Sequence, residues 1–390
     1  MGLDEPFELE AAGSAAAGGV DPASLYVEML GNISALVRAN GKRPMFWAAV
    51  ATGAQLFIRY PQLVSQLPRD TIAVAWDYEA REDYSRFIRP FHNAGVPYVI
   101  ATGLWIWDEI VPDFRRTFDN IDGFLAGAHA HGGLGIINTG WHDSAQALYR
   151  TAFPGMAYGA VAAWEHGAMD HGRFFQDYAQ LVYPGPVATE VAAALQATED
   201  SRKHLEDVLG RDLIQRFWED LLAPERLKKS EARMEELRQA RLAAETAEEH
   251  LLRALEQRPG DGALTSQLIG VRMLDYLGQK HIYASQIAGY FRRLGANPSA
   301  ADVYLFLGRQ ASLPHHSRAA DLMDRITELR EDYRRAWRQE YESYRLGTAL
   351  GRWDAEYEYW RRLQARLWEL ADRFKDGDTL PPLEAFRPRH

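Results

Sequence analysis

Short apolar segments alternate with amphipathic segments over the first 140 residues. Four uninterrupted apolar runs lie at 44–50, 71–76, 96–102 and 135–139, and the stretches between them repeat apolar residues at helical spacing. Apolar runs of this length without polar alternation are typical of parallel strands that are buried on both faces. The pattern therefore predicts a parallel β/α arrangement in which each strand is followed by a helix.

Aromatic and acidic residues follow each predicted strand. The candidates at these strand ends are Trp47, Trp76, Tyr78, Trp105, Trp107, Trp141 and Asp143. Barrel enzymes place their chemistry at the C-terminal ends of the strands. A doubly wound open sheet is the alternative, and it would need its ligand groups at one switch point. No Gly-x-Gly-x-x-Gly motif follows a predicted strand. Aromatic or acidic residues follow four predicted strands in succession, which favours a barrel.

The chain opens with a further candidate for a strand end. Gly2-Leu3 is followed by two adjacent carboxylates, Asp4 and Glu5, as at the end of a catalytic barrel strand. A solvated acidic pair is the competing interpretation. If the pair is catalytic, the chain begins in the middle of a fold.

The composition changes after about residue 185. The chain becomes rich in Ala, Glu and Arg with helical periodicity, interrupted at 259–262 and 297–298, and ends in a long charged stretch at 316–376. Apolar and aromatic positions such as Phe217, Tyr276, Trp337, Tyr344 and Trp353 exceed the two-position seam of a coiled coil, which predicts a bundle. We therefore expect two domains, a β/α domain at 1–185 and a helical domain at 186–390.

Charge and composition narrow the classes of function. The 390 residues carry a net charge of -10, which argues against nucleic acid and anionic membranes as partners. There is no Cys, so disulfides and thiolate metal sites are excluded. A cytoplasmic location is the default expectation. The 11 Trp and 18 Tyr suit sugar binding, because ring faces pack against the C–H face of a pyranose. Metal binding by the scattered His residues is not expected.

Five short motifs, in their order along the chain, resemble those of glycoside hydrolase family 20, the β-N-acetylhexosaminidases. The residues that carry the resemblance are Gly2-Leu3-Asp4-Glu5, Phe46-Trp47, Trp76-Asp77-Tyr78, Trp105-Ile106-Trp107 and Trp141-His142-Asp143. The resemblance implies a (β/α)8 barrel of TIM type, of which residues 1–185 would supply strands four to eight. Strands one to three would be absent, so a fragment, or a second chain that completes the barrel, is expected.

The same resemblance implies a mechanism and an amino-sugar glycoside as substrate. Glu5 would be the general acid/base, and Asp4 would orient the substrate's 2-acetamido group, which acts as the nucleophile. Tyr78 would donate to the acetamido oxygen, Asp143 would bind distal hydroxyls, and the sugar would lie among the tryptophans Trp47, Trp76, Trp105, Trp107 and Trp141. The predicted activity is that of a retaining exo-β-N-acetylhexosaminidase without a cofactor.

Two other hypotheses stay open at the level of sequence. The chain could be a truncated, non-catalytic remnant that binds carbohydrate or a partner protein. It could also be a helical interaction protein whose functional part is residues 186–390.

Overall fold

The computed structural model describes residues 1–7, 21–51, 55–144, 146–165, 167, 169–295, 297–307 and 317–383. The chain divides into two compact units. Unit 1 comprises Met1–Trp105, Pro112–Trp141 and Pro154–Phe174. Unit 2 comprises Ile106–Val111, His142–Phe153 and Phe175–His390.

A four-stranded parallel sheet forms the centre of unit 1. Its strands are β1 (Met45–Trp47), β2 (Ile72–Trp76), β3 (Tyr98–Gly103) and β4 (Ile136–Thr139). They pair in chain order, β1-β2-β3-β4, with every pair parallel. Phe46, Ala73, Val74 and Ile100 are buried, as the uninterrupted apolar runs predict for strands covered on both faces.

Helices connect the strands of unit 1. They are α1 (Pro22–Ala39), α2 (Leu56–Arg59), α3 (Ser85–Ala94), α4 (Phe114–Ala130) and α5 (Phe153–Ala162), with a 3₁₀ turn at Pro61–Gln66. The next helix, α6 (His171–Val182), begins in unit 1 and continues in unit 2. Local capping fixes the ends, because the Asp21 carboxylate accepts the Ser24 N–H at 3.0 Å and Asp113 accepts the Arg116 N–H at 2.9 Å.

The strand order tests the predicted architecture. Parallel strands that pair in strict chain order contain no reversal, so the strands that the structure describes in unit 1 have no switch point of the doubly wound kind. The observed fold is mixed α/β with a large helical part. The prediction of barrel strands four to eight went further than the structure, since the described residues contain four strands and no closed barrel. Apolar runs locate strands, but they do not say whether enough strands are present to close a barrel.

The Gly2-Leu3 segment is not a strand, although the backbone beside it adds to the sheet edge. The Met1 ammonium donates to the Met45 carbonyl at 2.9 Å, and the Trp47 N–H donates to the Met1 carbonyl at 3.2 Å. These two bonds place Met1 alongside β1 in parallel orientation. Asp4 and Glu5 therefore follow the first chain segment at the β1 edge.

Unit 2 is helical. Its helices are α7 (Gly185–Leu209), α8 (Leu213–Phe217), α9 (Pro224–Ala232), α10 (Met234–Gln257), α11 (Gly262–Leu294), α12 (Ala300–Leu307), α13 (Arg318–Glu340) and α14 (Leu346–Lys375). A 3₁₀ turn at Tyr149–Ala152 precedes them. Helix α10 packs on α7 and α11, and α13 packs on α11 and α14. Helix α7 begins at Gly185, but unit 2 also contains earlier segments, so a domain boundary at 185 stays a prediction.

The sequence breaks fall where the helices end. The interruption at 259–262 separates α10 from α11, whose first turn is capped by Asp261 through the N–H groups of Ala263 and Leu264. The charged stretch at 316–376 is two helices, interrupted before Arg345, whose φ is +65°. Of the aromatic positions that predicted a bundle, Trp337 and Trp353 are core residues, whereas Tyr344 is 75% exposed and adds nothing to the core.

A buried polar group lies inside the core of unit 2. Glu356 Oε1 accepts hydrogen bonds from Tyr276 Oη at 2.9 Å, Lys280 Nζ at 3.0 Å and Trp360 Nε1 at 2.8 Å. Lys280 also donates to the Phe217 carbonyl, and both charged side chains are buried. We call Tyr276, Lys280, Glu356 and Trp360 the Glu356 cluster. Its charges are paired and its donors are used internally, as burial of an ion pair requires.

No helix within the described ranges is both long enough and apolar enough to cross a bilayer.

Candidate active site

Aromatic side chains from three strand ends meet in unit 1. Trp141 Nε1 donates to Tyr78 Oη at 2.9 Å, although the two residues are 63 positions apart in sequence. The Trp47 and Trp141 rings lie 5.8 Å apart, and the Trp76 and Tyr78 rings 5.2 Å apart. Together with Trp105, which supports Tyr78 from below, these residues are the Tyr78 cluster. The cluster lies at the carboxyl ends of β1, β2 and β4, the edge at which parallel sheets bind ligands.

The loop after β2 holds Tyr78 in place. Asp77 receives both arms of the Arg81 guanidinium, at 2.6 and 3.0 Å. The Asn120 amide donates to the carbonyls of Asp77 and Glu79, at 3.0 Å each. Because the residues on both sides of Tyr78 are bonded, its ring orientation is fixed before any ligand arrives.

Trp76 and Trp105 lie beneath the surface of the cluster. The Trp76 indole is buried and donates to the Ala48 carbonyl at 2.7 Å. The Trp105 indole is also buried and donates to the Tyr78 carbonyl, with the Arg116 guanidinium 4.9 Å above its ring. These two rings therefore support Tyr78 from below, whereas Trp141, 38% exposed, and the half-buried Trp47 present ring surface to solvent.

The backbone bends sharply before the two candidate carboxylates. Leu3 has φ +90°, a conformation that is uncommon for a residue with a branched side chain. The Tyr26 hydroxyl holds the Leu3 carbonyl at 2.6 Å. Adjacent residues on a regular strand point to opposite faces, and this bend removes that restriction from Asp4 and Glu5. Trp105, at φ +43°, is a second non-glycine residue in the left-handed region, and such outliers concentrate at functional sites.

Electrostatics link the carboxylates to the aromatic cluster. Burial raises the pKa of the Tyr78 hydroxyl to about 12, and the negative charges of Asp4 and Glu5 add to the increase. Hydrogen bonds from Thr139 and Trp141 act in the opposite direction. Burial, followed by the charge of Asp4, also raises the pKa of Tyr26. Direct contacts thus join Trp47, Trp76, Tyr78, Trp105 and Trp141, and the charges of Asp4 and Glu5 act on the Tyr78 hydroxyl.

The remaining two candidates belong to unit 2. The Trp107 carbonyl accepts both the N–H and the hydroxyl of Ser144, at 3.3 and 2.6 Å. The neighbouring residue Asp143 is exposed. The Tyr78 cluster belongs to unit 1, so convergence of Trp107 and Asp143 with that cluster stays a prediction.

Sequence reasoning missed a second Asp-Glu pair, Asp108-Glu109. Burial, followed by the charges of Asp212 and Asp143, raises the pKa of Asp108, and Gln215 Nε2 donates to its Oδ1 at 3.5 Å. Glu109 is buried. The signal was in the sequence, since this dipeptide follows a Trp-rich strand end just as Asp4-Glu5 follows Gly2-Leu3. Across the part of the chain that the structure describes, no three His, Asp or Glu side chains are placed to hold a metal ion.

The comparison with solved structures finds a likeness to an enzyme of a known family. A GH138 enzyme targeting pectin rhamnogalacturonan II has a similar structure, with a TM-score of 0.50 and 10% sequence identity. The match covers 92% of this chain and 49% of that enzyme, so the chain spans about half its length. At this identity, the likeness shows the fold alone. No protein-family model and no curated protein matches the chain.

The resemblance to glycoside hydrolase family 20 is therefore wrong. The structural neighbour belongs to a different family, and no model of any family matches the sequence. The physical reason is that these five motifs are not specific to one family. Short apolar strands ending in Trp and acidic residues suit any parallel β/α sheet that binds a sugar, so their order does not specify one family.

Proposed function

We propose that the chain is a glycoside hydrolase whose reaction takes place at the Tyr78 cluster. The observation that supports this most is a group of aromatic rings, partly open to solvent at the carboxyl edge of a parallel sheet, whose Tyr78 hydroxyl feels the charges of Asp4 and Glu5. Tryptophan faces bind the apolar side of sugar rings, and carboxyl groups carry out the proton transfers of glycoside hydrolysis. The GH138 enzyme of similar fold is consistent with this class of reaction.

In this proposal Glu5 is the general acid/base. It is exposed, whereas Asp4 is half-buried, and in this role it protonates the glycosidic oxygen of a sugar bound at the rings of Trp47 and Trp141. Asp4 is half-buried beside Tyr26 and Tyr78, where it orients substrate and stabilises developing positive charge. The narrower prediction of an exo-β-N-acetylhexosaminidase depended on a family resemblance that is wrong, and no structural observation supports that specificity.

We also propose that unit 1 is part of a (β/α)8 barrel. Strict chain order of parallel strands is the order of a barrel segment, and β4 has a paired neighbour on one side only among the described strands. Exposed strand edges are avoided in natural proteins, so further strands, from the same or a second chain, would complete the sheet. Residues 186–390 would then be a separate helical domain.

Hydrolysis of a panel of p-nitrophenyl glycosides tests the proposal. The panel contains both anomers of glucose, galactose, rhamnose, galacturonic acid and N-acetylglucosamine. We expect release of nitrophenol from at least one member, and proton NMR of the fresh product then shows whether the anomeric configuration is retained. Absence of hydrolysis on natural pectic oligosaccharides and on the whole panel would contradict the proposal.

Sugar binding without hydrolysis is the second candidate function. It is favoured by the pair of the exposed Trp141 and the half-buried Trp47, which forms a ring platform that needs no carboxyl group. Methyl glycosides of the same sugars would then shift the Trp141 indole N–H signal in nitrogen-15 spectra, while the aryl glycosides stay intact.

A further inference from the structure

An ion-paired histidine lies at the start of α6. His171 is the first residue of the helix, and its Nε2 is 2.9 Å from Oδ2 of Asp122. Its Nδ1 is 3.8 Å from Oδ1 of Asp119. Both aspartates belong to α4, so the imidazole joins the first turn of α6 to α4 within unit 1.

Aromatic rings enclose this histidine. The rings of Phe118 and Tyr158 lie 5.3 and 5.5 Å from the imidazole. The Tyr158 hydroxyl donates to the same Asp122 oxygen at 2.7 Å. Asp122 Oδ2 therefore has two donors, and Tyr158 holds it whatever the charge on His171.

Carboxylates dominate the charged groups that face His171. They are Asp119 and Asp122 on α4 and Asp170 before α6, with the neutral phenol of Tyr158 on α5. A cavity of about 530 Å³ borders the imidazole, lined by Ala80, Arg81, Glu82, Asp119, Asp122, Met169 and His171. Its cation Arg81 is already paired with Asp77. The surroundings therefore favour the charged form of the imidazole.

We propose that His171 is a pH-sensitive latch whose imidazolium form holds the first turn of α6 on α4 and whose neutral form releases it. The imidazolium donates from Nε2 to Asp122 and holds its Nδ1–H 3.8 Å from the Asp119 carboxylate, at the distance of an ion pair. A neutral imidazole keeps one donor and turns a lone pair towards the second carboxylate. The loss of one favourable contact and the gain of one unfavourable contact act on the same helical turn.

The direction of the pH dependence follows from the pKa of His171. The hydrogen bond with Asp122 raises this pKa above its ordinary value of 6.5, partial burial acts against it, and the charges of Asp122, Asp119 and Asp170 add to the increase. A raised pKa in the folded state means that the contribution is fully present below pH 6.5. The contribution is lost as the pH rises through the folded-state pKa.

Amide exchange at the start of α6 tests the latch in the full chain. The N–H groups of Arg173 and Phe174 donate to the Asp170 carbonyl at 3.1 and 3.0 Å. We expect their protection, corrected for intrinsic exchange, to fall roughly two- to five-fold between pH 6 and 8.5. In His171→Gln, protection should be low and independent of pH. Asp119→Asn should reduce the pH dependence.

The control variant is His92→Gln, which changes an exposed histidine on α3 and should leave the pH dependence intact. An NMR titration of His171 itself should give a pKa above 6.5. Protection that stays constant or rises with pH, or a pH dependence that survives in His171→Gln, would overturn the latch. None of these results depends on hydrolytic activity.

Discussion

The Tyr78 cluster of unit 1 and the Glu356 cluster of unit 2 contain the same side-chain types in opposite settings. Each combines tyrosine and tryptophan, and carboxylate charge acts on the tyrosine of each. In the Glu356 cluster, the carboxylate is paired with Lys280 and accepts three hydrogen bonds in a dry core. At the Tyr78 cluster, the charges of Asp4 and Glu5 act on a phenol, the backbone at Leu3 is strained, and Trp141 is open to solvent. The first arrangement stabilises a fold, whereas the second keeps charge and ring surface available for a ligand.

The largest expected effect breaks the Glu356 cluster. Glu356→Gln should destabilise the chain by about 3–5 kcal/mol, because Lys280 would be left as a buried, unneutralised charge. Glu358→Gln is the matched control, since it changes a half-exposed glutamate two positions along the same helix, paired with Arg361 and Arg362. It should leave stability unchanged within error. Urea unfolding followed by circular dichroism measures both, and equal effects would show that the buried cluster is not structural.

The next prediction concerns acid lability of unit 2. Burial, followed by the charge of Lys280, lowers the pKa of His281 to about 3, and Ser230 Oγ lies 2.8 Å from its Nδ1. A lowered pKa in the folded state means that stability is present above pH 6.5 and is lost as the pH falls towards 3. The loss from this residue should reach about 2 kcal/mol by pH 5.

Hydrogen exchange in α11 between pH 7 and 5 measures this loss. In His281→Gln the acid dependence should flatten, while His204→Gln, which changes a half-exposed histidine of α7, should keep it. An unchanged acid dependence in His281→Gln would contradict the assignment. The expected slope is opposite to that of the His171 latch, so the two units should respond to pH in opposite directions.

A smaller effect tests close packing in unit 1. A Cβ at Gly159 on α5 would lie 1.8 Å from the amide nitrogen of Asn138 on β4. Gly159→Ala should therefore destabilise the fold by about 1–3 kcal/mol through overpacking. Gly31 on α1 has open space around its Cβ position, and Gly31→Ala should stabilise by about 0.5–1 kcal/mol. Thermal unfolding of both variants gives the signs, and a neutral Gly159→Ala would mean that α5 does not approach β4 closely.

The strands, two of the helix ends and part of the Tyr78 cluster could be predicted from the sequence. The apolar runs located all four strands, and the Gly-rich and Pro-containing breaks located the ends of α10 and α11. Strand ends also carried Trp47, Trp76, Tyr78 and Trp141, because parallel strands bring their carboxyl ends to one edge. That part of the candidate site follows from periodicity and chain direction alone.

Other parts depend on tertiary structure. Trp105 was expected to contact sugar, but its backbone turns to φ +43° and its indole supports the Tyr78 carbonyl. Lys280 and Glu356 lie on two helices, 76 residues apart, and helical periodicity does not distinguish such a buried pair from a solvated one. Family membership was wrong because aromatic strand ends are shared among unrelated folds and activities.

The most direct test of the central claim compares three glutamates in hydrolysis. Glu5→Gln should lower the turnover of substrates with poor leaving groups by about 10²–10⁴-fold, and should spare activated aryl glycosides more. Glu28→Gln, on the exposed face of α1, should retain full activity. Glu109→Gln tests the second Asp-Glu pair with the same assay. We expect the loss of turnover in Glu5→Gln and not in Glu109→Gln. Undiminished hydrolysis of unactivated substrates by Glu5→Gln would contradict the assignment of Glu5 as general acid/base.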